Sequence, residues 1–305
     1  MNAYQNTVSI KSHRGAISCL TLDAETTRLI LPEDEYDFVG PLPYDFQPLT
    51  FSCVATLNNT VDSSEKSDSR IWFTQADVTV HFLHGDSTES ELLAAACSAR
   101  VAMTPQTCIQ LVRYLAHLIL SEDVSLFTFN GVSFDLRILA NQLPPGASTE
   151  REACRKMALK CIDPCLHMWC ERGFPVGLNS MLKGWDMPEK LEHGSDAPSL
   201  WASPCEYSKV RVLRYCVDDV KCTYNLIVKI CERNEVRWIS NRSGKVCCHK
   251  LQMCGLYTAM QAVLLPFPNT EWAIPNANEN ENKRLPHREK ALGWLLDPGL
   301  KSVGR

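Results

Sequence analysis

The chain is 305 residues long, 45% hydrophobic and carries a formal net charge of −4, enough apolar material for one large core plus an extension, and no global basic excess toward nucleic acid or a membrane surface. No stretch approaches the about 20 apolar residues of a membrane span, and residues 1–15 lack the apolar centre of a secretory signal. The 15 cysteines include no Cys-x-x-Cys pair and a core of this size needs no cross-links, so a soluble intracellular protein of cytoplasm or nucleus, with no membrane partner, is expected.

In chain order, the first element is a strand. Residues 17–22 form a short, bounded apolar run, and Asp23 and Glu25 follow it; the strand's alternation puts both carboxylates on one side and Ala24 on the other. Glu33, Asp34, Glu35 and Asp37 read as a charged surface loop. Further strands are expected at 48–57 and 79–82, separated by a Ser/Asp-rich loop at 58–70, and a helix at 105–120. A strand at 126–129 is broken by Asn130 and Gly131, and the periodic segment 134–139 then starts a helix with Asp135 in its first turn. Over 209–232, Leu213, Cys216, Val217, Val220, Tyr224 and Ile227 keep the roughly 3.6-residue rhythm of a helix packed on a core. On that helix Tyr215 and Asp219 stand four apart and share a face. Beyond it the pattern predicts a strand at 236–239, a turn at 241–244, a helix at 251–264, and an extended polar tract at 276–283 closing against Trp294.

Each of these patterns aims a carboxylate at one shared point: Asp23 and Glu25 from the strand, Asp135 from a helix start, Asp219 from the long helix. An Asp-x-Glu or Tyr-x3-Asp taken alone is ordinarily a solvated pair; the order of the motifs, with suitable elements beneath them, carries the inference. Four converging carboxylates without compensation raise one another's pKa and protonate. Divalent cations remove that conflict, and oxygen ligands without thiolate or imidazole suit Mg²⁺ or Mn²⁺. Two such ions about 3.5 to 4 Å apart activate water and stabilise a leaving oxygen, which is phosphodiester hydrolysis.

The set resembles the DEDDy group of 3′-5′ exonucleases in the ribonuclease H-like superfamily, the group containing the proofreading domains of family-B DNA polymerases. The likeness covers most of the chain. Residues 160–164 look like the family's strand and helix start after the second motif, and 188–194 followed by 197–201 are similar to a segment preceding the third motif in stand-alone, polymerase-B-like predicted exonucleases. The resemblance implies an α/β fold, a ribonuclease H-like mixed central sheet flanked by helices over residues 1–232, with 233–305 as a small C-terminal extension of hairpin, helix and extended tail. It implies Asp23, Glu25, Asp135 and Asp219 as ligands of two divalent cations, and Tyr215 as the residue that positions the attacking water. It also implies release of nucleoside monophosphates from nucleic acid, with single-stranded DNA as substrate and a polymerase or other replication or repair protein as a possible partner. Cleavage of RNA stays open, as does an inactive nucleic-acid-binding or interaction module that keeps the fold; the intact acidic set counts against the latter.

Substrate contacts are expected from Asn130 and Phe134 beside the second motif, and from Arg237, Arg242 and Lys245. Residues 205–250 hold ten Lys/Arg against five Asp/Glu, a local excess able to neutralise phosphates. Plainer readings stand beside these: a turn for Asn130, packing for Phe134, a solvated face for the cations, and a core position for Trp238 in place of base stacking. Asp218 points about 100° around the helix from Asp219. Asp163 either supports the site or caps the helix after it. Cys161, Cys165, His167 and Cys170, and likewise Cys247, Cys248, His249 and Cys254, are residue types that bind zinc, although helical packing accounts for most of them.

Overall fold

The computed structural model describes residues 17–27, 49–61, 68–73, 80–82, 103–190, 194–251, 255–266, 268 and 294–295. Strand β1 (Ile17–Thr26) forms at the first apolar run and has a neighbour on each side. Strand β2 (Phe51–Val61) pairs with it antiparallel, and β5 (Ser125–Phe127) pairs parallel with Cys19 to Thr21. With β3 (Asp68–Phe73) and β4 (Val80–Phe82) these make an open, mixed five-stranded sheet of order β4-β3-β2-β1-β5. A central strand covered on both faces favours apolar residues on both, and β1 supplies Cys19, Leu20 and Leu22 with only the small polar Ser18 and Thr21 beside them.

The expected loop at 58–70 is a correction. β2 continues through Asn58 and Asn59, which pair with Leu20 and Cys19, and β3 already opens at Asp68. Ladder bonds to a buried central strand override the poor strand propensity of Asn. The acidic run 33–37 and the tract 276–283 lie outside the described residues.

Helices cover both faces. Helix α1 (Pro105–Ala116) starts on Thr104, whose hydroxyl accepts from the Thr107 N–H at 3.2 Å, and continues into a π-helical turn over His117–Ser121. With α2 (Asp135–Gln142) and α3 (Ser148–Lys160) it packs Leu111, Leu115, Leu136, Leu139 and Met157 against Leu20, Leu22 and Val54. Helices α4 (Pro164–Arg172) and α5 (Leu178–Gly184) follow, then α6 (Ala197–Ala202) and the long α7 (Glu206–Arg233). Trp201, Leu213, Cys216 and Val220 of the last two cover the opposite sheet face at Cys53, Ala55, Ile71 and Phe73. A third cluster, with Phe127, Met168, Met181, Ile227, Ile230 and Val236, joins α4, α5 and the end of α7 to a hairpin of β6 (Glu235–Ile239) and β7 (Val246–Lys250).

The helix expected at 251–264 is shorter. Leu251 still bonds the Asn234 carbonyl, Thr258 bridges Ile162, and only then does a capping box between Thr258 and Gln261 start α8 (Ala259–Val263). Trp294 packs against the core, donating its indole N–H to the Val132 carbonyl at 3.1 Å, while the tract expected to close against it lies outside the described residues. Among the described residues no helix is long and apolar enough to cross a membrane.

Candidate functional site

The register of β1 decides which way its acids face. Asp23 lies opposite Ala55 and Glu25 opposite Cys53, both on the α7 side, whereas Leu22 and Ala24 join the core on the other side. The small partners leave space beside each carboxylate, and the pairing register shifts immediately after Glu25. On α7, Tyr215 and Asp219 are buried one turn apart, and the Cys216 thiol donates to the Asp23 carbonyl at 3.5 Å, which fixes helix against strand at this level. The result is an oxygen cluster: carboxylate atoms of Asp23, Glu25 and Asp219 all lie within 4.8 Å of one another.

Asp135, the first residue of α2, stands outside that three-residue group but near enough for its charge to act on Asp23 and Glu25, and the loop after β5 aims it there. Asn130 takes a left-handed conformation (φ 62°), and the Phe134 N–H donates to its carbonyl at 3.0 Å, closing the turn. Gly131 is required there, since a Cβ would stand 2.5 Å from that of Thr128. Buried Asp163 clamps the turn, accepting from the backbone N–H of Asn130 at 3.0 Å and of Val132 at 3.3 Å while capping α4 through Leu166 N–H at 3.1 Å. Both readings of Asp163 therefore hold at once. The backbone of Ala24 hydrogen-bonds the Asp135 carboxylate, whose other oxygen, Oδ1, is buried without a partner.

Crowding these groups has the electrostatic effect anticipated. Burial, and then the charges of Asp219 and Asp135, push Asp23 well above the carboxylate range; burial and Asp23 do the same to Glu25. Asp135 is pushed up to about 7, by burial first and by Asp163 among its neighbours. Burial also raises Asp219, against the pull of Lys190. The Tyr215 hydroxyl, desolvated and surrounded by these carboxylates, is raised far above its usual value, and it is buried with no hydrogen-bond partner of ordinary geometry.

Sequence reasoning missed Lys190. Its ammonium forms an ion pair with Asp219 and lies 4.7 Å from the centre of the Tyr215 ring. Burial alone lowers a lysine's pKa, but the charges of Asp219 and Asp23 outweigh it and hold Lys190 raised. The signal was present, because Lys190 falls in the segment 188–194 on which the resemblance partly rests; Gly194 at its other end also abuts Tyr215, with room for a Cβ only 3.3 Å from the hydroxyl.

The remaining candidates sit elsewhere. Phe134 is half-buried and packs against the α1–α2–α3 core. Arg237 pairs with Glu235 at 2.7 Å and lies 4.8 Å over the Trp185 ring, while Arg242 and Lys245 are exposed on the hairpin turn. Asp218 faces away, 4.0 Å from Lys221. Among the described residues of the two cysteine-rich clusters, His167 and His249 share one partner, approaching Glu171 Oε2 at 2.7 and 2.9 Å. The His167 Nδ1 accepts the Tyr257 N–H at 3.3 Å, leaving Nε2 to donate to Glu171, a tie between α4 and the C-terminal segments that leaves His167 itself no lone pair for zinc. Cys254 lies outside the described residues. Compared with protein-family models and with curated proteins, the chain matches none.

Proposed function

We propose that the protein is a metal-dependent 3′-5′ exonuclease with a ribonuclease H-like core, hydrolysing single-stranded DNA to nucleoside monophosphates. One observation carries the reading: acids from β1 and α7 bring their oxygens within 4.8 Å of one another beside Asp135. The donor set suits hard divalent cations. It is all oxygen, Asp135 Oδ1 and Asp219 Oδ1 are buried without partners, and burial keeps the adjacent Cys216 a neutral thiol. Asp23, Glu25, Asp135 and Asp219 would hold two such ions, Mg²⁺ or Mn²⁺, which when bound supply Lewis-acid activation of water and phosphate. Tyr215, whose hydroxyl is buried beside these carboxylates, would orient the attacking water by hydrogen bonding. The mixed sheet with its acids on a central strand supports the ribonuclease H-like assignment, and the motif resemblance supplies the polarity and the preference for DNA.

The test is incubation of 5′-labelled single-stranded DNA and matched RNA with Mg²⁺, Mn²⁺ or EDTA. A ladder shortening from the 3′ end, abolished by EDTA and reduced at least about 10²-fold in Asp135→Asn and in Asp23→Ala with Glu25→Ala, is expected. Wild-type turnover by either variant sinks the assignment, and a faster RNA ladder moves the substrate to RNA.

A further inference from the structure

Apart from the carboxylates, the end of α4, the start of α5 and the β6–β7 hairpin enclose a pocket of about 410 Å³. Its wall is aromatic: Phe174 and Trp238 stand edge to face, centroids 6.0 Å apart at 61°, and both are half-exposed. Arg172 and Arg242 stand at its rim, Ser180 and Asn241 add polar contacts, and none of the twelve lining residues is acidic. The nearest carboxylate in sequence, Glu171, is turned away into its contacts with His167 and His249. Strand alternation likewise sends Arg237 to the opposite face from Trp238, where Glu235 and Trp185 engage it. A π surface flanked by two guanidinium groups without a carboxylate fits a planar base whose neighbouring linkages are anionic.

From this we infer that the pocket binds an internal nucleotide of a single-stranded nucleic acid, stacking its base on the Phe174–Trp238 wall and pairing its phosphates with Arg172 and Arg242. The identity of the occupant rests on the exonuclease reading; the site itself shares no residue with the acidic cluster. The chain from Ser180 at the pocket to Lys190 beside Asp219 spans ten residues, partly helical, so the two sites are no more than about 30 Å apart. A strand several nucleotides long can occupy both. The pocket would hold the strand upstream of the end being cut.

The test uses the full-length chain in EDTA, where binding is read without cleavage, with a 3′-fluorescent 12-nucleotide oligothymidylate followed by anisotropy across a salt series. Arg172→Ala with Arg242→Ala is expected to weaken binding at least 10-fold and lower the salt slope by roughly 1 to 2. Phe174→Leu, with the charges intact, is expected to weaken it roughly 5- to 100-fold at unchanged slope, as loss of one base stack does. The exposed control Lys156→Ala on α3 should leave both unchanged, and melting curves establish that each variant folds. Wild-type affinity and slope in the double-arginine variant overturn the proposal, as does a wild-type chain that binds no oligonucleotide. Pocket-dependent binding by a chain that never cleaves keeps the pocket and removes the exonuclease reading; cleavage with pocket variants indistinguishable from wild type does the reverse.

Discussion

Lys190 gives Asp219 a counter-charge from the chain itself, at a position where a carboxylate that is only 2% exposed has few alternatives. Removing one partner of a fully buried pair costs about 3–5 kcal/mol; here the lysine side chain is 21% exposed and Asp219 can take up a proton, so on the order of 2 kcal/mol is expected. Lys190→Met should therefore melt lower than wild type in EDTA at pH 8, and addition of Mn²⁺ should raise its melting temperature by more than it raises that of wild type. Equal melting in EDTA would show that Lys190 does not hold the cluster. Tyr215 calls for a different reading, because Tyr215→Phe removes only a hydroxyl that meets its neighbour Asp219 outside ordinary hydrogen-bond geometry. Its stability should be unchanged or higher, while single-turnover cleavage falls roughly 10- to 10³-fold; undiminished cleavage would reduce Tyr215 to packing. The four carboxylates and the tyrosine were legible because strand alternation and helical spacing fix where a side chain points. Lys190 was not, since it lies in an irregular segment between α5 and α6 where no periodicity tells direction.

At the scale of elements, local signals succeeded where the chain supplied its own start, at Pro105 opening α1 and at Asp163 capping α4. They failed where a partner decided. The polar end of β2 becomes strand because β1 offers it a ladder, and the polar start of β3 because β2 offers one in turn, while Thr258 bridges Ile162 before α8 can begin. The hairpin is held by a close approach of this second kind. A Cβ on Gly184 would come within 2.6 Å of the Arg237 carbonyl carbon and 2.5 Å of Trp238 Cα, backbone atoms that cannot rotate away. Gly184→Ala should thus lift β6 from α5 at a cost of about 1–3 kcal/mol. Amide exchange in β6 should quicken before any change in β1 or β2, and binding at the Phe174–Trp238 pocket should weaken while the carboxylate site is spared. Unaltered β6 protection would mean that the helix and hairpin can separate freely.

For the molecule as a whole, the acidic cluster sets how stability depends on pH. A carboxyl whose pKa is raised by folding favours the folded state fully below its ordinary value and loses that contribution as pH climbs through the folded value. For Asp135 the interval runs from 3.8 to about 7. Asp23, Glu25 and Asp219 are raised too and act in the same direction, whereas the raised lysine loses its contribution only at much higher pH. In EDTA the melting temperature should fall between pH 5 and pH 8, and Asp135→Asn, which cannot ionise, should flatten that fall and melt higher than wild type at pH 8. Cations reverse the effect by binding the ionised folded form: at about 100 times its dissociation constant an ion adds about 2.7 kcal/mol, and each kcal/mol is worth roughly 2 to 4 °C in a chain approaching this size. A rise of roughly 5 to 10 °C with Mn²⁺ at pH 8 is therefore expected, shrinking toward pH 5 as protons compete for the same oxygens and absent from Asp23→Ala with Glu25→Ala. This measurement is independent of turnover. A wild-type melting temperature that stays flat or climbs from pH 5 to pH 8 in EDTA, with no response to Mn²⁺ at pH 8, would leave the cluster without the strain that calls for a cation.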